Sequence, residues 1–183
     1  MRKDFFATKV KSMLIIAPEK HLIKKIEDAL NLIKKVDPDE YKNSFFRIDV
    51  IFVTNINGAG GGIFPTKKSW LTTKSAMNRH DLNWLASLII HEACHSAQFK
   101  DGKLILSWQK EKEREREAVE SQIKFLRKLG DDWRANWLQQ YFDGECKRED
   151  PWWVRGSKDR VQNTYFRNLL KLLAENKLKL TFI

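Results

Sequence analysis

Residues 91–95 read His-Glu-Ala-Cys-His, and a pair of histidines four positions apart is a ready donor set for one metal ion. On a helix such residues stack one turn above the other on a single face. His91 and His95 then present two imidazoles to the same point, and Glu92 lies one step round the helix from them. Zinc suits neutral imidazole and needs no redox chemistry. A zinc ion so held brings the pKa of a bound water to about 7. Glu92 is placed to take that proton as general base and pass it to a leaving group. The competing reading is a chance match on a buried helix. Trp84, Leu85, Leu88, Ile89 and Ile90 do make the flank apolar on most faces. Two histidines and a glutamate on such a helix cost free energy unless something partners them.

A catalytic zinc takes three protein ligands and leaves a fourth position open. No histidine follows His95, and His21 and His80 read as ordinary surface or capping residues. The third donor is therefore sought among carboxylates. Glu111, Glu113, Glu115, Glu117 and Glu120 alternate with Lys112, Arg114 and Arg116 on the next helical segment. Most of such a run is a solvated face laced with pairs one turn apart. The apolar stripe Ala118, Ile123, Leu126 and Leu129 points away from Glu117 and nearer to Glu115, so the residues alone leave the choice open.

The motif and the segment after it, roughly residues 70–130, resemble a zincin metallopeptidase. Glu117-Ala118-Val119 resembles the gluzincin, thermolysin-like pattern. There a second helix supplies a glutamate with apolar residues one, two and six positions later, here Ala118, Val119 and Ile123. That resemblance implies Glu117 as third ligand, with Glu115 and Glu113 next in line. Glu115 has a case of its own, since Glu115-x-x-Ala118 is similar to the pattern of membrane-type zincin proteases. Asp101 stands where metzincins carry their third ligand, but Gln98 replaces the glycine which that pattern needs. The resemblance further implies zinc as cofactor, a peptide or protein substrate, and Glu92 as the catalytic base. Glu113 or Glu120 is the expected acceptor for the free N–H of a ligand histidine. Tyr141, Tyr165, Arg155 and Arg160 are candidate donors to the oxyanion.

The elements that must position these groups are read from spacing. Met13–Ile16 predicts a short strand. Leu22, Ile23, Ile26, Ala29, Leu30 and Ile33 recur at helical spacing until Asp37-Pro38 stops them. Ile48–Thr54 and Ser69–Lys74 predict strands, the second serving as the edge to which an extended peptide adds. Gly58–Gly62 predicts a turn or a flap. Asp81 caps a metal helix from about Leu82 to Phe99. Helices follow over Trp108–Leu129, from Asp131 to Gly144 with Trp133, Trp137, Leu138 and Tyr141, and over Ser157–Leu173. Leu178–Ile183 predicts a terminal strand. Together these give an α+β fold, one zincin-like domain over residues 1–183, with five helices outweighing two to four strands.

At 183 residues the chain can bury a real core, and 42% hydrophobic with 11% aromatic content excludes a disordered chain. Two cysteines make no disulfide framework, which points to a reducing, cytoplasmic setting. No apolar run approaches a membrane span, and Met13–Ala17 is too short for a secretory signal core. The formal charge of +10 admits a nucleic-acid partner. Trp108, Trp133, Trp152 and Trp153 would then stack on bases, against the simpler expectation that helix tryptophans fill a core.

Overall fold

The structure is a computed structural model that describes residues 3–55, 61–64, 68–100, 108–148 and 178–183. A hairpin opens it. β1 (Lys3–Val10) turns back at Lys11, whose φ of 52° lies in the left-handed region, into β2 (Met13–Ala17). Two helices follow, α1 (Lys20–Val36) and α2 (Pro38–Arg47), and then β3 (Val50–Thr54). β4 (Gly61–Phe64) and β5 (Ser69–Thr73) precede the short α3 (Lys74–Arg79), the long α4 (Leu82–Lys100), α5 (Trp108–Lys128) and α6 (Asp132–Glu145). β6 (Leu178–Phe182) returns to the sheet.

The six strands form one mixed sheet in the order β4-β5-β3-β2-β1-β6. β2, β3 and β5 run parallel, with Ile15 opposite Ile51 and Ile51 opposite Trp70. β6 joins β1 in parallel, while β1–β2 and β4–β5 are antiparallel. Strand side chains alternate between faces, and two apolar clusters record it. Met13, Ile15, Ala17, Ile51, Val53 and Trp70 face the helices. Leu14, Ile16, Val50, Phe52 and Leu71, with Phe5 and Ala7, form the opposite face.

α1 buries the stripe that its spacing predicts: Leu22, Ile23, Ile26, Ala29, Leu30 and Ile33 are at most 2% exposed. α4 is apolar nearly all round because it has neighbours on most sides, packing on α1, α2 and α5 and reaching β4. Leu85, Ala86, Ile89, Ile90 and Ala93 join its face to the main core. Truncating one such large residue, for example Leu85→Ala, costs about 2–5 kcal/mol. The rod that carries the motif is therefore held as firmly as anything in the molecule.

Several expectations are corrected. Strand content exceeds the two to four expected: β1 forms in a segment whose mixed composition shows no run, and Gly61 and Gly62 enter β4. Asp37-Pro38 is a junction as well as a stop. Asp37 ends α1, and its carboxylate accepts from the Glu40 N–H to start α2, with Pro38 in the first turn. Ser69–Lys74 is not an edge, because β5 lies between β3 and β4; among the described residues the edge strands are β4 and β6. Trp133 is 74% exposed; α6 turns Ala135, Leu138 and Phe142 inward instead. The proposed helix at 157–173 lies outside the described residues.

Candidate metal centre

α4 begins where Asp81 Oδ1 accepts from the Trp84 N–H at 3.0 Å, as the capping rule expects. Ten residues later His91 and His95 lie one turn apart, their Nε2 atoms 3.1 Å from each other. α5 returns antiparallel, since Ser87 meets Gln122 while His95 meets Glu115 and Gln98 meets Arg114. Glu115 Oε1 is 3.3 Å from His91 Nε2, and Oε2 is 3.2 Å from His95 Nε2. One donor atom from each of these three residues lies within 4.8 Å of the others. His91 and Glu115 are buried and His95 nearly so.

Glu115, not Glu117, is thus the carboxylate brought to the histidines. The phase of α5 explains it. The buried positions are Glu115, Ala118, Val119, Gln122, Ile123, Phe125 and Leu126, a stripe at helical spacing with Glu115 as its first member. Glu117, about 200° round the helix from Glu115, points away from this stripe and is exposed. Its Oε2 accepts from Gln98 Nε2 at 2.9 Å, and Gln98 Oε1 lies 3.0 Å from His95 Nδ1. Glu117 therefore acts through Gln98 on the orientation of His95. Glu113 and Glu120 are exposed and meet no histidine; Gln98 holds the place expected of them. Its position three residues after His95, on the same face, was available in the sequence as a signal. Asp101 lies outside the described residues, as do Arg155, Arg160 and Tyr165.

Burial works against charge on His95, but the hydrogen bond and charge of Glu115 outweigh it and push its pKa up to about 9. Burial likewise opposes ionised Glu115, yet His91 and His95 hold its carboxyl well below the usual carboxylate range. The donor set fits a metal ion. Two ring nitrogens facing each other at 3.1 Å serve one shared cation better than they serve each other. Glu115 Oε1 sits near His91 without hydrogen-bonding alignment and keeps a free lone pair.

A register lock below the site was not foreseen. Gln122, 2% exposed, donates to Ser87 Oγ at 3.0 Å, and Ser87 donates to the Trp84 carbonyl at 2.8 Å. It ties α4 to α5 one turn before His91. A cleft of about 270 Å³ opens on the same side, with His91 and Glu92 in its wall. Tyr141, Trp84, Trp137 and Trp70 also line it, as does His80, which the sequence reads as a surface or capping residue and which caps the end of α3. His80 is half-buried, and desolvation by burial lowers its pKa, assisted by Arg79 and Lys25. Cys94 and Cys146 are free thiols, and burial pushes that of Cys94 up.

Compared with known proteins, the chain matches no family model, no curated protein and no solved structure. No described helix is long and apolar enough to cross a membrane.

Proposed function

We propose that this chain is a zinc-dependent metallopeptidase. The observation that carries the reading is Glu115 closing on both histidines of an HExxH helix, with Glu92 beside them in the wall of a cleft. A zinc ion held by His91, His95 and Glu115 would supply Lewis acidity toward water and a scissile carbonyl. Glu92 would hold the transferred proton on its carboxylate and deliver it to the leaving amine. Tyr141, in the same cleft, is the described candidate for an oxyanion donor. Among the described residues β4 is a sheet edge beside α4, to which an extended peptide can add. The test is cleavage of an unfolded protein by the purified chain. Cleavage that survives both chelation and Glu92→Gln would sink the reading.

A second reading, a zincin-fold module that acts on nucleic-acid-associated proteins through its basic surface, is favoured by the +10 charge and by exposed Trp133. A salt titration of nucleic-acid binding decides it, because neutralised phosphates give a steep salt dependence. No binding at low salt removes it.

A further inference from the structure

We propose that the exposed aromatic face of α6 is a docking track that holds the polypeptide substrate in extended form as it enters the cleft beside Glu92. The track rests on the peptidase reading for its purpose and names the kind of chain that site would take. Among the described residues six large hydrophobic side chains are exposed, and three of them, Trp133, Trp137 and Tyr141, stand on α6. Apolar side chains scattered singly over a surface are ordinary, whereas a group of them on one face marks a contact surface. Their spacing of four residues puts the three on one side of the helix, within an arc of about 80°. They are not spare core: α6 turns Ala135, Leu138 and Phe142 inward and leaves Trp133 74% exposed. Trp137 stacks on Tyr141 with centroids 5.3 Å apart and rings 7° from parallel, and it meets Trp84 of α4 edge to face at 5.9 Å. Two of the three rings are therefore braced before a partner arrives, which lowers the ordering cost of binding.

Two observations choose the occupant. The first is continuity. Trp137 and Tyr141 also line the cleft that has His91 and Glu92 in its wall, and Trp133 carries the same helix face one turn further along. A chain lying on the rings therefore leads into the groups that would cut it. Rings four residues apart on a helix repeat every ~6 Å along its axis. Alternate side chains of an extended peptide repeat every ~6.7 Å. An extended segment laid along α6 can thus set alternate side chains against Tyr141, Trp137 and Trp133, with a mismatch of only about 1.4 Å over the three rings. The second observation is charge. The exposed charged side chains of α6 are Asp132 and Asp143. Its one cation, Arg134, is held by Asp131 at 2.7 Å and by Asp81. For all the +10 charge of the chain, α6 itself offers no free cation beside its rings. A nucleic-acid strand stacked there would lack from this helix the phosphate contacts that dominate such affinity. The substrate that fits is an extended polypeptide with apolar side chains at alternate positions and no negative charge between them.

The first test reads binding alone. Two peptides of one composition are titrated into the chelator-treated full chain, and tryptophan fluorescence is followed. Both carry three phenylalanines among serines, with a lysine at each end. In one the phenylalanines alternate with serine; in the other they are consecutive. The alternating peptide is expected to bind roughly threefold tighter or better. Trp133→Ala, a change at the most exposed ring, should weaken it roughly two- to tenfold, the worth of one aromatic pair. Trp133→Phe should restore most of that loss. Equal binding of the two peptides, or binding untouched by Trp133→Ala, overturns the proposal. A single-stranded oligonucleotide that binds in a Trp133-dependent way overturns it too, as does sedimentation showing a dimer that Trp133→Ala breaks, since each gives the face another occupant. In the second test the zinc-loaded chain is given both peptides, and the alternating one is expected to show the lower KM. Chelator-sensitive cleavage that ignores the pattern overturns the track and leaves the peptidase. Pattern-selective, Trp133-dependent binding without any cleavage overturns the peptidase and leaves the track as a peptide-binding surface.

Discussion

Glu115 and Glu117 are two residues apart and chemically identical, yet they differ in what surrounds them. Glu115 is 6% exposed against two imidazoles, whereas Glu117 reaches His95 only through Gln98. Glu115→Ala should therefore cost more than the roughly 10–100-fold in zinc affinity typical of an outer partner. Glu117→Ala should cost less than tenfold, since Gln98 keeps its bond to the Arg114 carbonyl. Zinc competition titrations measure both. On the proposed peptidase reading, Glu92→Gln should keep zinc while lowering turnover by roughly 10²–10⁴, because an amide cannot take the proton. With metal removed by a chelator, the same cluster makes stability depend on pH. His95 is raised from 6.5 to about 9, so its contribution is complete below pH 6.5 and disappears as pH rises through about 9. Glu115 is lowered from 4.5, so its contribution is complete above pH 4.5 and disappears as pH falls through its folded value. Thermal melts of chelated protein should show a plateau between these limits, with Glu115→Gln flattening both flanks.

At the scale of elements, what was legible followed from periodicity and what was missed followed from packing. The α1 stripe, β2, β3, the start of α4 and the end of α5 at Gly130, where φ is 75°, all follow from local spacing and capping chemistry. β1, α2 and α3 lack a periodic apolar run and form because neighbours pair with them or cap them. The pairing of His91 with His95 was legible because four-residue spacing is itself the geometry of a helix face. The third carboxylate hinged on the register of α5. There the apolar stripe pointed to Glu115, while resemblance to the thermolysin-like pattern pointed to Glu117. Register between α4 and α5 is set by Gln122 and Ser87, which no local signal marks. Ser87→Ala should destabilise the fold by about 1–3 kcal/mol, because it leaves the buried Gln122 amide short of an acceptor. Ser87→Ala combined with Gln122→Met should recover part of that loss. Denaturant melts of the two singles and the double measure it; strictly additive losses would mean the bond does not couple the helices.

At the scale of the whole molecule, the candidate metal site stands on α4 and α5, both of which also contribute to the main apolar core. The main apolar cluster draws residues from β2, β3, β5 and each of α1 to α5. A chain with an apolar core of this extent should not need metal to fold, unlike small zinc domains that are unfolded without it. Chelation should leave a cooperative, folded protein with helical circular dichroism close to that of the zinc form. Metal should still add stability by mass action, because three donors converge only in the native state. One site at a free concentration a thousand times its dissociation constant adds about 4 kcal/mol, and a hundred times adds about 2.7. For a domain of this size each kcal/mol moves the melting temperature by roughly 2–4 °C. Zinc should therefore raise it by roughly 8–16 °C at the higher ratio, with an increase that grows with the logarithm of free zinc. Glu115→Ala should lose most of that rise, and Glu117→Ala should retain it. A chelated chain that melts without cooperativity would place the metal inside the folding core instead, and a zinc-induced rise surviving in Glu115→Ala would take Glu115 out of the donor set.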